Sequence, residues 1–134
     1  MEMPNITYET LIRITRAISA LRDHDEIALI TVEGVTHALD VKGCALFLFD
    51  PKSKELKLTG SYGLSEAYLN KGPINSMKSI AEGLEDGIPV AIYDVNDDPR
   101  LQYPEAAVAE GIASILSAPI IMGEKLIGCL RVYT

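Results

Sequence analysis

EGLEDGIPVAIYDVNDDPRLQYPEAAVAEGIASILSAPIIMGEKLIGCLRVYT, residues Glu82 to Thr134, is the stretch whose reading decides the fold. Val90–Tyr93 is a short apolar run that stops at Asp94. Asp97-Asp98-Pro99-Arg100 follows as a turn, because Pro99 bars the α region to Asp98 and because Asp94 and Asp97 carry the short carboxylates of Asx turns. An alanine-rich stretch from about Pro104 to Ala109 has helical composition. Two apolar runs joined by Met122-Gly123-Glu124-Lys125 then read as a hairpin.

Upstream, residues 8–21 (YETLIRITRAISAL) place Leu11, Ile14, Ile18 and Leu21 at a 3-4-3 spacing, two heptads of an a/d seam. That seam either packs on its own domain or meets the same seam of a second chain. Two heptads alone rarely hold a coiled coil together. Asp25 can cap a second helix that ends near Asp40, with Ala28, Leu29, Val32, Val35, Thr36 and Leu39 facing inward. Cys44–Phe49 is continuously apolar, as a central strand covered on both faces should be. Asp50–Lys54 is a polar turn, and Glu55–Thr59 alternates like the second strand of a hairpin. Residues 60–79 are the least regular. Ser65 can cap a short helix over Glu66–Leu69, which Asn70-Lys71-Gly72-Pro73 breaks, and a further helix fits Ser79–Glu85. Hairpins with helices before and between them define an α+β domain: a mainly antiparallel central sheet of five to six strands with helices on both faces.

The 134 residues suit one domain, and 48% hydrophobic with 23% charged residues is ordinary globular composition. The net charge is −7 and the basic residues are scattered, so no cluster exists to neutralise phosphates. We therefore expect no nucleic-acid partner. No apolar run reaches the ~20 residues of a membrane span, and the N-terminus lacks a signal-peptide pattern. Neither a membrane contact by this segment nor a secretory route is expected. Two cysteines make no disulfide framework, which points to a reduced, cytoplasmic protein.

The order Gly-x-Pro-Val, Asp-x-x-x-Asp-Pro-Arg, Glu-Gly-Ile-x-Ser, Ala-Pro-Ile, Gly-Glu-Lys-Leu-Ile-Gly resembles the C-terminal half of a GAF domain, a small sensory and regulatory module related to PAS domains. The resemblance is strong from Glu82 onward and moderate over Asp25–Gly63. It divides the chain into an N-terminal linker or dimerisation helix, 1–24, and a GAF-like domain, 25–134. GAF domains usually continue into a long helix after the last strand. The stop at Thr134 therefore leads us to expect a domain truncated before that helix, within a longer protein such as a sensor histidine kinase.

The resemblance also implies a cavity between one face of the sheet and the irregular middle segment. Mapped onto this chain its walls are Tyr62, Leu64, Tyr68, Leu69, Ile74, Met77, Ile80, Tyr93, Leu101, Tyr103, Ala107, Gly111 and Ser114. Tyr62, Tyr68, Met77, Tyr93, Tyr103 and Ser114 are the candidate ligand contacts. Tyrosine pairs a flat apolar face with a hydroxyl, which suits a small planar or polar ligand. Alternatively the tyrosines simply fill the core.

Catalytic and metal chemistries find little support. There is no Gly-x-Ser-x-Gly elbow. Cys44 and Cys129 lie in apolar strands, where thiols behave as small hydrophobes, although the two strands are neighbours in GAF sheets and a redox pair is conceivable. The GAF branch that reduces free methionine sulfoxide uses loop cysteines, and this chain has none. His24 and His37 lack partners at metal spacing, and DVNDDPR has neither the Gly nor the Glu of an EF-hand loop. The Asn-Lys-x-Phe-Asp-Glu motif of cyclic-nucleotide GAF domains is absent, as is any cysteine at residues 100–113 for a bilin. We expect no enzyme activity, no required cofactor, an unknown small-molecule ligand, a homodimer through helices and an output module in the parent chain.

Overall fold

The computed structural model describes residues 9–13, 15, 24–72, 74–75 and 86–134. Residues 9–13 and 15 are helical and Leu11 is exposed. Ile14, Ile18 and Leu21 of the expected seam lie outside the described residues, as does the helix expected over Ser79–Glu85.

Helix α1 (His24–Leu39) precedes the hairpin β1 (Gly43–Asp50) and β2 (Glu55–Tyr62). Helix α2 (Glu66–Leu69), the two-residue β3 (Ile74–Asn75), β4 (Val90–Ile92) and helix α3 (Pro104–Glu110) follow, and β5 (Ile115–Met122) and β6 (Lys125–Tyr133) close the chain. The six strands form one sheet in the order β3-β2-β1-β6-β5-β4, antiparallel throughout. The last strand thus lies at the centre of the sheet, between β1 and β5. Its inward residues Cys129, Arg131 and Tyr133 are all buried.

One face of the sheet carries α1. Ala28, Val32 and Thr36, spaced one turn apart, form its buried row. Thr36 satisfies its hydroxyl on the Val32 carbonyl at 2.7 Å. Gly60 lets β2 approach the helix, since a Cβ there would stand 2.8 Å from the Ala28 Cβ. Leu29 and Leu39, expected inward, are instead exposed with Ile30. Among the described residues the helix rests mainly on β2 and β1, so a narrow stripe suffices to seat it.

The other face carries the main core. Ala45, Phe47, Leu56, Val90, Ile92, Ile115, Cys129 and Tyr133 from the strands meet Tyr68 of α2 and Ala107 of α3. Both short helices are terminated as their sequences dictate. The Ser65 hydroxyl accepts from the Tyr68 N–H at the start of α2. Pro104 opens α3, and Gly111 closes it in the left-handed region with φ 81°.

A bulge in β2 decides which side chains see which face. Phe47 pairs with Leu58 and Leu46 with Gly60, so Thr59 is extra. Leu56 and Leu58 share the core face with Phe49 and Phe47. Past the bulge the alternation is inverted, and Gly60 and Tyr62 turn toward α1.

The DVNDDPR turn is built as a structural clamp. The Asp94 carboxylate accepts the Asn96 N–H at 2.9 Å, and the Asp98 carboxylate accepts the Arg100 N–H at 2.9 Å. The Arg100 guanidinium grips Asp98 at 2.6 and 3.0 Å and reaches the Ala91 carbonyl at 2.8 Å, tying the turn to β4.

Candidate functional site

Strand alternation aims Arg131 at the core face of the sheet. Its cross-strand neighbours are Ala45 on β1 and Ser117 on β5, both small and both buried. The guanidinium carbon lies 5.6 Å from the Phe47 ring centroid. Arg131 is only 4% exposed, yet its Nε makes no hydrogen bond, and neither does the buried Tyr133 hydroxyl. Among the described residues the ion pairs are Lys57–Asp50 and Arg100–Asp98, and neither involves Arg131. An arginine so placed is costly, because a buried charge normally finds a partner.

Lys71, just past α2, approaches the same region. Its Nζ lies 3.8 Å from the Tyr68 ring centroid and 6.0 Å from that of Tyr103, and it donates to the Tyr68 carbonyl at 3.2 Å. Burial and the Arg131 charge push the Lys71 amine down to about 8, with Glu110 opposing them. Tyr68 is 3% exposed and stands edge-on to Tyr133, with centroids 5.7 Å apart. Burial raises the pKa of Tyr68 and, more strongly, that of Tyr133, so both keep their protons. Glu110 anchors the start of α2, accepting from the Ser65 N–H at 2.6 Å and from its hydroxyl at 2.5 Å. Those hydrogen bonds hold the Glu110 carboxyl below its ordinary range.

A cleft of about 330 Å³ shares Phe47 and Lys71 with this cluster, and Leu56, Leu58, Leu69 and Gly72 with the charged Glu55 and Lys57 complete its lining. Gly72 has φ 136° and passes beneath Tyr103, where a Cβ would come within 2.5 Å of the hydroxyl. A side chain at position 72 would therefore displace the Tyr103 ring.

The structure brings together some of the sequence-derived candidates and separates others. Tyr68 and Tyr103 converge on Lys71. Leu69 lines the cleft, Leu64 and Leu101 pack against the core, Ala107 is buried and Gly111 caps α3. Tyr62 lies on the opposite face, its ring 5.3 Å from His37 of α1, because the Thr59 bulge reverses the alternation. Tyr93 is 87% exposed, since it follows the buried Ile92 and must point the other way. Ser114 precedes the inward Ile115, faces away and bonds to the Thr134 hydroxyl. Met77 and Ile80 lie outside the described residues, as does the Ile74 side chain. Arg131, Lys71 and Tyr133 were not among the candidates. The signal for Arg131 was present, a charge inside the apolar run LIGCLRVY.

Cys44 and Cys129 are free and buried. Cys44 pairs with Val132 and Cys129 with Phe47, so they are out of register and on opposite faces of the sheet, which removes the disulfide reading. Burial pushes the Cys44 thiol up to about 11 and raises Cys129 as well. Among the described residues no His, Cys, Asp and Glu group could hold a metal ion, and no helix is long and apolar enough to cross a membrane.

The GAF domain family model matches residues 23–134. The chain belongs to the GAF family. A domain of a two-component sensor histidine kinase protein from Sinorhizobium meliloti is 25% identical, with a TM-score of 0.66 over 81% of this chain and 70% of that one. The GAF domain of a phosphoenolpyruvate-protein phosphotransferase from Coxiella burnetii reaches 0.71 at 24% identity, over 95% and 76%. The free methionine-R-sulfoxide reductase of Neisseria meningitidis, solved with its substrate, reaches 0.69 at 19% identity, over 100% and 77%. No curated protein matches the chain. The α+β GAF fold is thus common to regulatory modules of signalling proteins and to at least one enzyme.

Proposed function

We propose that this GAF domain is a non-catalytic sensory module of a multidomain signal-transduction protein, binding a small molecule on the core face of its sheet. The observation that carries this reading is the cleft lined by Phe47, Leu56, Leu58 and Leu69, an apolar recess whose polar groups are Lys71, Lys57 and Glu55. Ligand binding would favour one arrangement of the sheet and its flanking helices, and those helices would pass the change to an output module in the parent chain. The similarity to a sensor histidine kinase domain supports that context. The raised thiols of Cys44 and Cys129 speak against a thiol-dependent reductase.

A second reading is a ligand-free dimerisation module. Exposed Leu29, Ile30 and Leu39 on α1 and exposed Leu11 favour it, because such a surface suits a second copy of the chain in a cytoplasmic homodimer. A thermal-shift panel of metabolites together with sedimentation distinguishes the two. Stabilisation that grows with ligand concentration supports the sensor. A silent panel with concentration-dependent dimerisation replaces it with the second reading.

A further inference from the structure

We infer that the core face of the sheet takes a small organic carboxylate, which Arg131 and Lys71 hold against the Phe47 and Tyr68 rings. The inference rests on reading this face as the sensory site, and it names the ligand's chemistry. Arg131 is buried by its place on the central strand, and its fork of donors matches a carboxylate. Its Nε and the Tyr133 hydroxyl are buried with no well-formed hydrogen bond among the described residues. Lys71 adds a second cation whose charge is suppressed by burial and by Arg131, the condition an anion between them relieves.

The same cluster argues against phosphate. Phosphate sites are built from glycine-rich loops and free helix N-termini. Here the start of α2 is already occupied by the Glu110 carboxylate on Ser65. The remaining wall of the cleft is mostly apolar, which suits a carboxylate on a hydrocarbon or aromatic body.

The test uses the whole chain and matched pairs: acetate, benzoate and succinate against acetamide, benzamide and succinamide, with inorganic phosphate alongside. At least one carboxylate should raise the melting temperature and shift the Arg131 and Lys71 side-chain resonances, with its amide weaker by about tenfold or more. Its affinity should fall by up to tenfold per pH unit above about 8, where Lys71 loses its proton. The charged groups around Lys71 are Arg131 and Glu110, with Glu55 and Lys57 on the same cleft, so Lys71→Met must abolish that pH dependence and weaken binding by about tenfold or more. Arg131→Met should abolish binding without loss of folding, and Arg131→Lys should restore part of it.

Equal response to acid and amide, or a preference for phosphate, overturns the carboxylate inference and leaves the sensory reading standing. No response to any probe counts against both. An Arg131→Met chain that fails to fold gives Arg131 a structural partner, and the inference falls with it unless Lys71→Met still shows the loss.

Discussion

The Lys71 ammonium sits 3.8 Å above the Tyr68 ring while donating to that residue's own carbonyl oxygen at 3.2 Å. The contact fixes the lysine at the rim of the cleft rather than in solvent. Burial and the Arg131 charge lower the proton affinity of the amine held there.

Lys71 has a folded pKa of about 8 against an ordinary 10.5. Between those values the unfolded chain holds the proton and the folded chain does not, so this group makes stability rise with pH across that window. Below about 8 its burial costs stability. Urea denaturation of wild type and Lys71→Met at intervals from pH 7 to 10.5 should show the wild-type gain shrinking in the variant. Parallel curves for the two proteins would refute the assignment.

Gly60 and Ala28 are in close packing, with a hypothetical Cβ at position 60 only 2.8 Å from the Ala28 Cβ. We predict that Gly60→Ala destabilises the domain by about 1–3 kcal/mol through overpacking. Adding Ala28→Gly should recover part of that loss, giving a favourable coupling in a double-mutant cycle. Purely additive effects would mean that α1 does not rest on β2 here.

Arg100 links Asp98 to the Ala91 carbonyl of β4. Its side chain is 39% exposed, so Arg100→Ala should cost only about 1–2 kcal/mol. The hydrogen bonds from Arg100 hold the Asp98 carboxyl below its ordinary 3.8. Its stabilising contribution is therefore present above that value and is lost as pH falls through the depressed folded pKa. Thermal melts at pH 7 and pH 2.5 should give a wild-type advantage over Arg100→Ala that narrows in acid.

The thiols of Cys44 and Cys129 are buried and raised, Cys44 to about 11. At pH 8 a disulfide reagent such as dithionitrobenzoate should modify the native protein at the rate of its unfolding, and both cysteines at once in denaturant. Fast labelling of either cysteine in the native state would contradict their burial.

Local chemistry made much of the fold legible. Ser65 and Gly111 punctuate helices in ways any reader can derive, and Pro99 with its acidic neighbours announces the turn. The alternation of Leu56 and Leu58 gives the register of β2. The site was harder to see, because its geometry depends on a one-residue bulge at Thr59 that no residue type advertises. Counting in twos from Leu56 carries Tyr62 into the pocket, whereas the bulge delivers it to His37. Tyr93 was a different kind of miss. The GAF resemblance maps it to the pocket wall, whereas its position after the buried Ile92 turns its side chain outward. Arg131 was passed over as a strand residue, although a charge within an apolar run has a buried cost that demands a reason.

The bulge also gives β2 a division of labour that protein engineers can use. Leu56 and Leu58 face the cleft layer and Gly60 and Tyr62 the helix layer, within one strand of eight residues. Substitutions at Leu56 and Leu58 can reshape the recess without disturbing α1. Substitutions at Tyr62 can retune helix docking while leaving the recess untouched. Thr59 is the boundary between the two, and deleting it would exchange one set of tasks for the other.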